Sequence, residues 1–256
     1  MDVRIDSVAI AIIPARYAST RLPGKPLVSL AGKAMIERVW ERTRRATKIS
    51  RVIIATDDER IVQAAAAFGA EAVMTRSEHR SGTERVAEVA ATKAREGEEI
   101  FVNVQGDEPL IEPAAIDTAV EAVESDDSVS VATLMVPITK AAGIMDPNVV
   151  KVVLDFDGNA LYFSRAPIPW VRDRHAPVHA QHMKHLGLYA FRRAALLDFP
   201  TLPLGDLERI EQLEQLRWME NGYKIRVAET PYDSVSVDVP EDVSRFEQLL
   251  RELPSA

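Results

Sequence analysis

Cysteine is absent from the 256 residues. That excludes disulfides, thiolate zinc sites and cysteine nucleophiles. Aromatic residues make up only 6%, and the apolar runs are far too short to span a bilayer. The first residues, MDVRIDSVAI, lack the anatomy of a secretory signal. Basic residues are in deficit: 31 Lys and Arg stand against 39 Asp and Glu, a net charge of -8. A duplex-binding surface is therefore not expected, although a local basic site is compatible with that balance. What remains is an ordinary globular composition, 46% hydrophobic and 27% charged, in a chain long enough to bury a core. Together these figures point to a soluble cytosolic protein with a catalytic role, no nucleic-acid partner and no membrane insertion.

Hydrophobic periodicity alternates strands with helices through the first half. Strands are predicted at Val8–Ile13, Val52–Thr56, Ala72–Met74, Ile100–Gln105 and Val129–Val136. Between them lie helices at Met35–Ala46, around Ile61–Phe68, at Gly82–Ala94 and at Pro113–Ser125. Strands spaced by single helices imply an α/β fold with a mainly parallel sheet flanked by helices. After Pro137 the pattern changes. Val149–Leu154 and Ala160–Phe163 flank Asp155-Phe156-Asp157-Gly158-Asn159, which reads as a hairpin. A Pro-, Arg- and His-rich stretch follows, then a strand at Leu186–Phe191, a helix at Leu207–Met219, and short strands at Ile225–Ala228 and Val235–Val237. Pro240 opens a last helix with Val243, Phe246, Leu249 and Leu250 inward. The expected organisation is one domain over residues 1–256, with a smaller β-rich lobe at about 138–190.

The segment after the first strand carries the most chemistry: Pro14-Ala15-Arg16-Tyr17-Ala18-Ser19-Thr20-Arg21-Leu22-Pro23-Gly24-Lys25-Pro26-Leu27. In an open parallel sheet, ligands sit beyond the carboxyl ends of strands. Arg16, Arg21 and Lys25 in that place suit a triphosphate, arginine offering forked hydrogen bonds and lysine a compact charge. The loop is neither a Walker loop, since proline follows Lys25, nor a dinucleotide fingerprint. Asp107 follows the strand that ends near Gln105 and points to the same cleft. Magnesium is usually held by one or two carboxylates plus substrate phosphates, and Asp238 is the second candidate. Asp238-Val239-Pro240-Glu241-Asp242 is also good helix-capping chemistry, so a purely structural aspartate stays open there.

Two other patterns compete for attention. Asp155-Phe156-Asp157 matches the D-x-D by which some glycosyltransferases hold a metal and a sugar nucleotide, but the Gly-Asn that follows favours a turn. His175, His179, His182 and His185 crowd one segment, yet no carboxylate or cysteine joins them at ligand spacing. On the predicted helix Leu207–Met219, a 100° step places Glu214 inside the apolar arc of Leu207, Ile210, Leu213, Leu216 and Trp218. A carboxylate on a buried face needs an ionic partner or a ligand.

P-A-R-Y-A-S-T-R-L-P-G-K-P-L resembles the signature loop of the 3-deoxy-D-manno-octulosonate (KDO) cytidylyltransferase family. The resemblance continues, in order, through Met74-Thr75-Arg76, His79, Ser81-Gly82-Thr83-Glu84-Arg85 and Asn103-Val104-Gln105-Gly106-Asp107-Glu108-Pro109. It extends to Tyr162-Phe163-Ser164-Arg165, His185-Leu186-Gly187, Glu211–Leu216 and Val237–Asp242. It implies a nucleotide-diphospho-sugar transferase fold, CTP and KDO as substrates, release of diphosphate, a role in lipopolysaccharide assembly, and a homodimer formed through the β-rich lobe. It implies catalytic roles for Arg16, Lys25 and Asp107, nucleotide contacts from Ala15, Arg16, Arg21, Lys25, Thr75 and Arg76, and Mg2+ on Asp107 and Asp238. For the sugar it implies Gln105, His185, Tyr189, Glu214 and Gln215. Arg165, then Arg85, are the arginines expected to face the sugar carboxylate, with Arg80 a weaker candidate. The chain departs from the family pattern at Ser236, where glycine is usual, at Val239, where threonine or serine is usual, and at Glu84, where aspartate is usual. Alternatives of other kinds are a cytidylyltransferase for 8-amino-KDO or a sialic acid, a D-x-D glycosyltransferase, and a catalytically dead nucleotide-binding regulator.

Overall fold

Residues 9–172 and 182–252 are described by the computed structural model, so His175 and His179 fall outside it. The chain divides into two units, Met1–Asp117 with Ser234–Ala256, and Thr118–Asp233.

The first unit is built on β1 (Ala9–Ala15), whose AIAIIPA sequence is buried almost throughout. A 3-10 turn at Lys25–Leu27 and a two-stranded ribbon, β2 (Ser29–Leu30) with β3 (Lys33–Ala34), lead into α1 (Met35–Thr43). Helix α1 buries Met35, Ile36, Val39 and Thr43, the stripe that a 3.6-residue period dictates. Then come β4 (Ile49–Thr56), α2 (Glu59–Ala67), β5 (Glu71–Met74), α3 (Gly82–Lys93), β6 (Ile100–Asn103) and the first residues of α4 (Pro113–Glu124), whose remainder belongs to the second unit. Strand β1 pairs in parallel with β4 on one side and β6 on the other, and β4 pairs in parallel with β5. The order β6-β1-β4-β5 is thus all parallel, with α1, α2 and α3 packed on these strands. Near-continuous apolar strands such as Ile53-Ile54-Ala55 and Phe101-Val102 are what a sheet covered on both faces requires. Ala15 and Asn103 close β1 and β6 at the same edge, so the loops that follow them emerge together.

The second unit holds β7 (Val131–Pro137), the short α5 (Ala141–Met145), β8 (Lys151–Leu154), β9 (Ala160–Ser164), β10 (Met183–Arg192), α6 (Arg193–Asp198), α7 (Asp206–Glu211), α8 (Gln215–Glu220) and β11 (Ile225–Glu229). Here the sheet is mixed. β10 runs antiparallel to β7 and β8, β8 and β9 form the predicted hairpin, and β11 is parallel to β7. Its core stacks Tyr189, Phe191 and Phe199 around the fully buried Trp218. Chain residues 234–252 belong to the first unit and end in α9 (Pro240–Glu252).

Two predicted elements are corrected. Leu207–Met219 is not one helix: Gln212 turns into the left-handed region at φ 53° and separates α7 from α8. Arg165 supplies the reason, because its Nε and Nη2 take the carbonyls of Glu211 and Gln212, at 2.7 and 3.2 Å, that a continuing helix would use. The apolar arc therefore breaks. Leu213, Leu216 and Trp218 are buried, whereas Leu207 and Ile210 are exposed, and Glu214 is the N-cap of α8. The buried ion pair joining the two helices is Glu208 with Arg217, bidentate at 2.7 Å. Val235–Val237, predicted as a strand, has no ladder. The Val237 amide donates to the Asp107 carbonyl at 2.9 Å.

His185, on β10, is buried against Phe163 and Tyr189, and its Nε2 lies 3.0 Å from Thr133 Oγ1. The same hydroxyl faces the Leu186 and Leu188 carbonyls, so its one proton goes to a carbonyl and the imidazole Nε2–H donates to it. Burial, with a smaller push from Lys184, lowers the imidazole to about 3. A histidine held neutral when folded binds its proton only when unfolded, so its contribution falls as pH drops below 6.5. Between pH 7.5 and 5 the wild type should lose about 2 kcal/mol more stability than His185→Gln. Urea melts of both proteins at the two pH values measure this, and parallel losses would show that the folded protein admits the proton freely.

Candidate active site

The loop after β1 and the loop after β6 approach each other closely. A Cβ on Gly106 would lie 2.8 Å from the Pro14 carbonyl, so only glycine allows this contact. Gly24 takes φ +64° to turn the first loop into the 3-10 turn that presents Lys25. Around these loops lies a cavity of about 440 Å³, lined on one side by Arg16, Ser19, Thr20, Arg21 and Lys25. His79, Ser81, Gly82 and Arg85 line another part, and Gln105, Gly106, Asp107 and Asp238 complete it.

Lys25 stands at the centre. Its Nζ donates to Asp107 Oδ2 at 2.6 Å and to Asp238 Oδ1 at 2.9 Å. Arg21 Nη2 donates to the same Asp238 oxygen at 2.8 Å, and Ser236 Oγ lies 3.2 Å from Oδ2. Burial by itself would lower the Lys25 ammonium, but Asp107 and Asp238 outweigh it and hold the group above its ordinary value. Burial likewise works to raise Asp238, and Lys25 and Arg21 overcome it and hold the carboxyl low. The Lys25 ammonium and the Asp238 carboxylate are therefore both charged at neutral pH. Arg16 is exposed at the cavity and makes no ion pair or hydrogen bond among the described residues.

The capping alternative for Asp238 is resolved by Asp242. Its Oδ2 accepts from the amides of Asp238 and Val239, at 2.8 and 3.1 Å, leaving the Asp238 carboxylate for Lys25 and Arg21. Beneath this segment, Leu22, Leu30, Met35, Val237 and Phe246 form a small buried core, with Val28, Leu110, Val243 and Leu250 against it. It ties the basic loop, α1 and α9 together and so fixes where Asp238 sits.

Hard divalent cations prefer carboxylate and phosphate oxygens, and magnesium commonly takes only one or two carboxylates. Asp107 and Asp238 converge on a single cationic point, the Lys25 ammonium, so the donor set fits such an ion. Among the described residues there is no group of three or more His, Cys, Asp or Glu suited to a metal.

Cations beside paired carboxylates suit nucleotidyl transfer, and similarity to known proteins identifies the kind. The cytidylyltransferase family matches residues 10–225. The chain belongs to that family. A 3-deoxy-manno-octulosonate cytidylyltransferase from Solibacter usitatus is 54% identical over 242 residues, 94% of each chain. One of the same name from Syntrophotalea carbinolica is 51% identical, over 95% of this chain and 98% of that one. The solved structure of CMP:2-keto-3-deoxy-manno-octonic acid synthetase complexed with CTP matches with a TM-score of 0.90 and 43% identity. That match covers 96% of this chain and all of the other.

In this cytidylyltransferase the remaining predicted residues fall into several groups. Ala15 and Gln105 line the cavity, and Thr75 and Arg76 lie on the segment after β5. Thr75 is bonded by Arg85, while Arg76 is exposed beside Glu88. Arg85 touches the cavity, yet its guanidinium is buried against Asp57, at 2.9 Å. In the second unit, Arg165 clamps the carbonyls of Pro147, Glu211 and Gln212. Both arginines thus have structural partners, a role that their sequence positions did not reveal. His185 and Tyr189 pack with ring centroids 5.4 Å apart, and burial and then the Glu214 charge push the Tyr189 hydroxyl well above its ordinary value. Gln215 is buried, and its Nε2 has no hydrogen-bond partner among the described residues. Ser19, Thr20, His79 and Ser81 were not singled out for the site, although the first two lie between the predicted arginines and the last two fall in matching motifs.

Asp155 is not aimed at a ligand. Its carboxylate accepts from the amides of Asp157 and Asn159 and from Asn159 Nδ2, which is a hairpin turn holding itself.

Phe246→Ala should destabilise the protein by about 3–5 kcal/mol, since it empties the centre of the small core beneath Asp238. Chemical denaturation reads the change, and an unmoved midpoint would show that α9 is not anchored there.

Proposed function

We propose that this chain transfers the cytidylyl group of CTP to the anomeric hydroxyl of KDO, giving CMP-KDO and diphosphate. The observation that carries the reading is the Lys25 ammonium held between Asp107 and Asp238 at the foot of a basic loop, in a chain about half identical to proteins of that name. The hydroxyl oxygen attacks the α-phosphorus in line and gives its proton to solvent, the bond to the β-phosphate oxygen breaks, and diphosphate leaves with that bond's electron pair. No covalent enzyme intermediate is needed, so catalysis consists of positioning and charge neutralisation.

Arg16, Arg21 and Lys25 bind and orient the triphosphate, and Ala15, Thr75 and Arg76 add to the nucleotide side. Asp107 and Asp238 would hold Mg2+, which when bound supplies Lewis-acid charge neutralisation at phosphate and sugar oxygens. Gln105, His185, Tyr189, Glu214 and Gln215 are assigned to KDO. The buried Gln215 amide supports this, because such a group usually finds a partner and a sugar hydroxyl offers one. The same proposal places the enzyme in the cytoplasm, supplying lipopolysaccharide assembly, as a homodimer. Exposed Phe156, Leu161 and Trp170 in the β-rich lobe are the kind of apolar surface that a dimer contact would cover. Among the described residues no helix is long and apolar enough to cross a membrane.

Diphosphate release from CTP and magnesium with a panel of KDO, 8-amino-KDO and sialic acid tests the reaction and the sugar together. KDO should be the best acceptor, and a clear preference for another acid would reassign the substrate. Lys25→Ala should slow turnover at least about tenfold, because charge-assisted phosphate contacts are worth about 1.5–3 kcal/mol. Near-normal turnover of that variant at saturating CTP would remove the loop from the mechanism.

Glu214→Gln keeps the shape of the side chain at the α8 cap. It should raise the KM for KDO about tenfold with little change for CTP, as expected for one lost charge-assisted bond to the sugar. Equal effects on both substrates, accompanied by a lower melting temperature, would make Glu214 a structural residue.

A further inference from the structure

The loop that carries Arg16 and Lys25 is held closed by a side chain with no place in the cavity. Tyr17 follows Arg16, and Gly24 precedes Lys25. The two are pressed together: a Cβ on Gly24 would meet Tyr17 Oη at 3.0 Å and ring carbons at 3.1 and 3.3 Å. The ring thus lies over the glycine, bringing the two ends of the loop to one place. The guanidinium of Arg60, near the start of α2, sits with its Cζ 3.3 Å from the Tyr17 ring centroid. Arg60 is itself fixed. Its Nε and Nη2 donate to Asp58 Oδ1 and Oδ2 at 2.9 and 2.6 Å, and Asp58 Oδ1 also accepts the Arg60 amide to cap α2.

Neither Tyr17 nor Arg60 lines the cavity around Lys25. Arg60 has its charge met by Asp58, so it does not act as a further phosphate cation. What the stack can do is set geometry. A guanidinium over a tyrosine face is attracted by the ring quadrupole, and here one partner is rooted in a capped helix. We infer that Tyr17 and Arg60 form a clasp that positions Arg16 and Lys25 on the same triphosphate, making both of them positioning residues for CTP. The inference rests on the assignment of the loop to CTP made above. A loop whose two ends are fixed enters the complex with less conformational freedom to lose, so the clasp acts on nucleotide affinity and leaves sugar binding alone.

Calorimetric titration of CTP without sugar, followed by KM measurements for both substrates, tests it on the full chain. Tyr17→Leu, which keeps apolar bulk but removes the flat ring, should weaken CTP binding about tenfold and leave the KM for KDO within a factor of two. Tyr17→Phe keeps the ring and should bind CTP within a factor of two of wild type. Arg60→Ala should weaken CTP binding, and combining it with Tyr17→Leu should add nothing further, because both break one contact. Unaltered CTP binding by Tyr17→Leu, additive losses in the double variant, or equal losses for both substrates would each overturn the clasp while leaving the reaction intact. Failure of the wild type to bind CTP would overturn the assignment of the loop and the clasp together.

Discussion

The Lys25 ammonium between Asp107 and Asp238 joins three stretches of chain that no local rule brings together. It links a 3-10 turn after β1, a loop after β6, and an extended segment that leads into α9. Two carboxylates facing one cavity would repel each other, and the lysine, helped by Arg21 on Asp238, makes the arrangement tolerable before any ligand arrives. Around that core the supporting choices follow. Gly106 lets the two loops touch, Asp242 holds the amides of Asp238 and Val239, and the Leu22–Val237–Phe246 core fixes the returning segment.

The second unit solves its polar problems differently. Lys151 is fully buried, and its Nζ donates to the carbonyls of Asp146, Val149 and Arg165. Arg165 in turn takes carbonyls from Pro147, Glu211 and Gln212, while Glu211 accepts from Ser164 Oγ and the Arg165 amide. Cations here serve main-chain oxygens that secondary structure leaves over. A lysine or arginine in such a unit is therefore no guide to an anionic ligand by itself.

Much of the fold was legible because the signals were local. Apolar runs bounded by amphipathic helices gave the parallel strands β1, β4, β5 and β6, and Asp-Gly-Asn gave the β8–β9 turn. The charged lining of the cavity was legible where cations and carboxylates follow strand ends, as with Lys25 and Asp107. The break between α7 and α8 was not, because it depends on Arg165, some 46 residues earlier in sequence, capturing carbonyls that helical periodicity assigns to the helix. Nor could the sequence separate Asp238 from Asp242 as cap, since both suit the role and only Asp242 makes the bonds. Glu214 shows how a sound periodicity argument fails when the helix it assumes is interrupted. Its charge still acts on Tyr189, from a position that a 100° step did not contain.

The position of Asp238 in the chain bears on how the protein comes to be active. Its contacts with Arg21 and Lys25 span 217 and 213 residues, and every residue of the second unit is synthesised between them. Such distant closures cost more chain entropy than the local parallel pairings of β1 with β4 and of β4 with β5. During synthesis, Leu22, Leu30 and Met35 are made long before Val237 and Phe246, which cover them. The carboxylate that completes the site and the side chains that bury its apolar foundation thus arrive in one late step. A chain interrupted before Val237 would lack both, leaving Leu22, Leu30 and Met35 without the side chains that cover them.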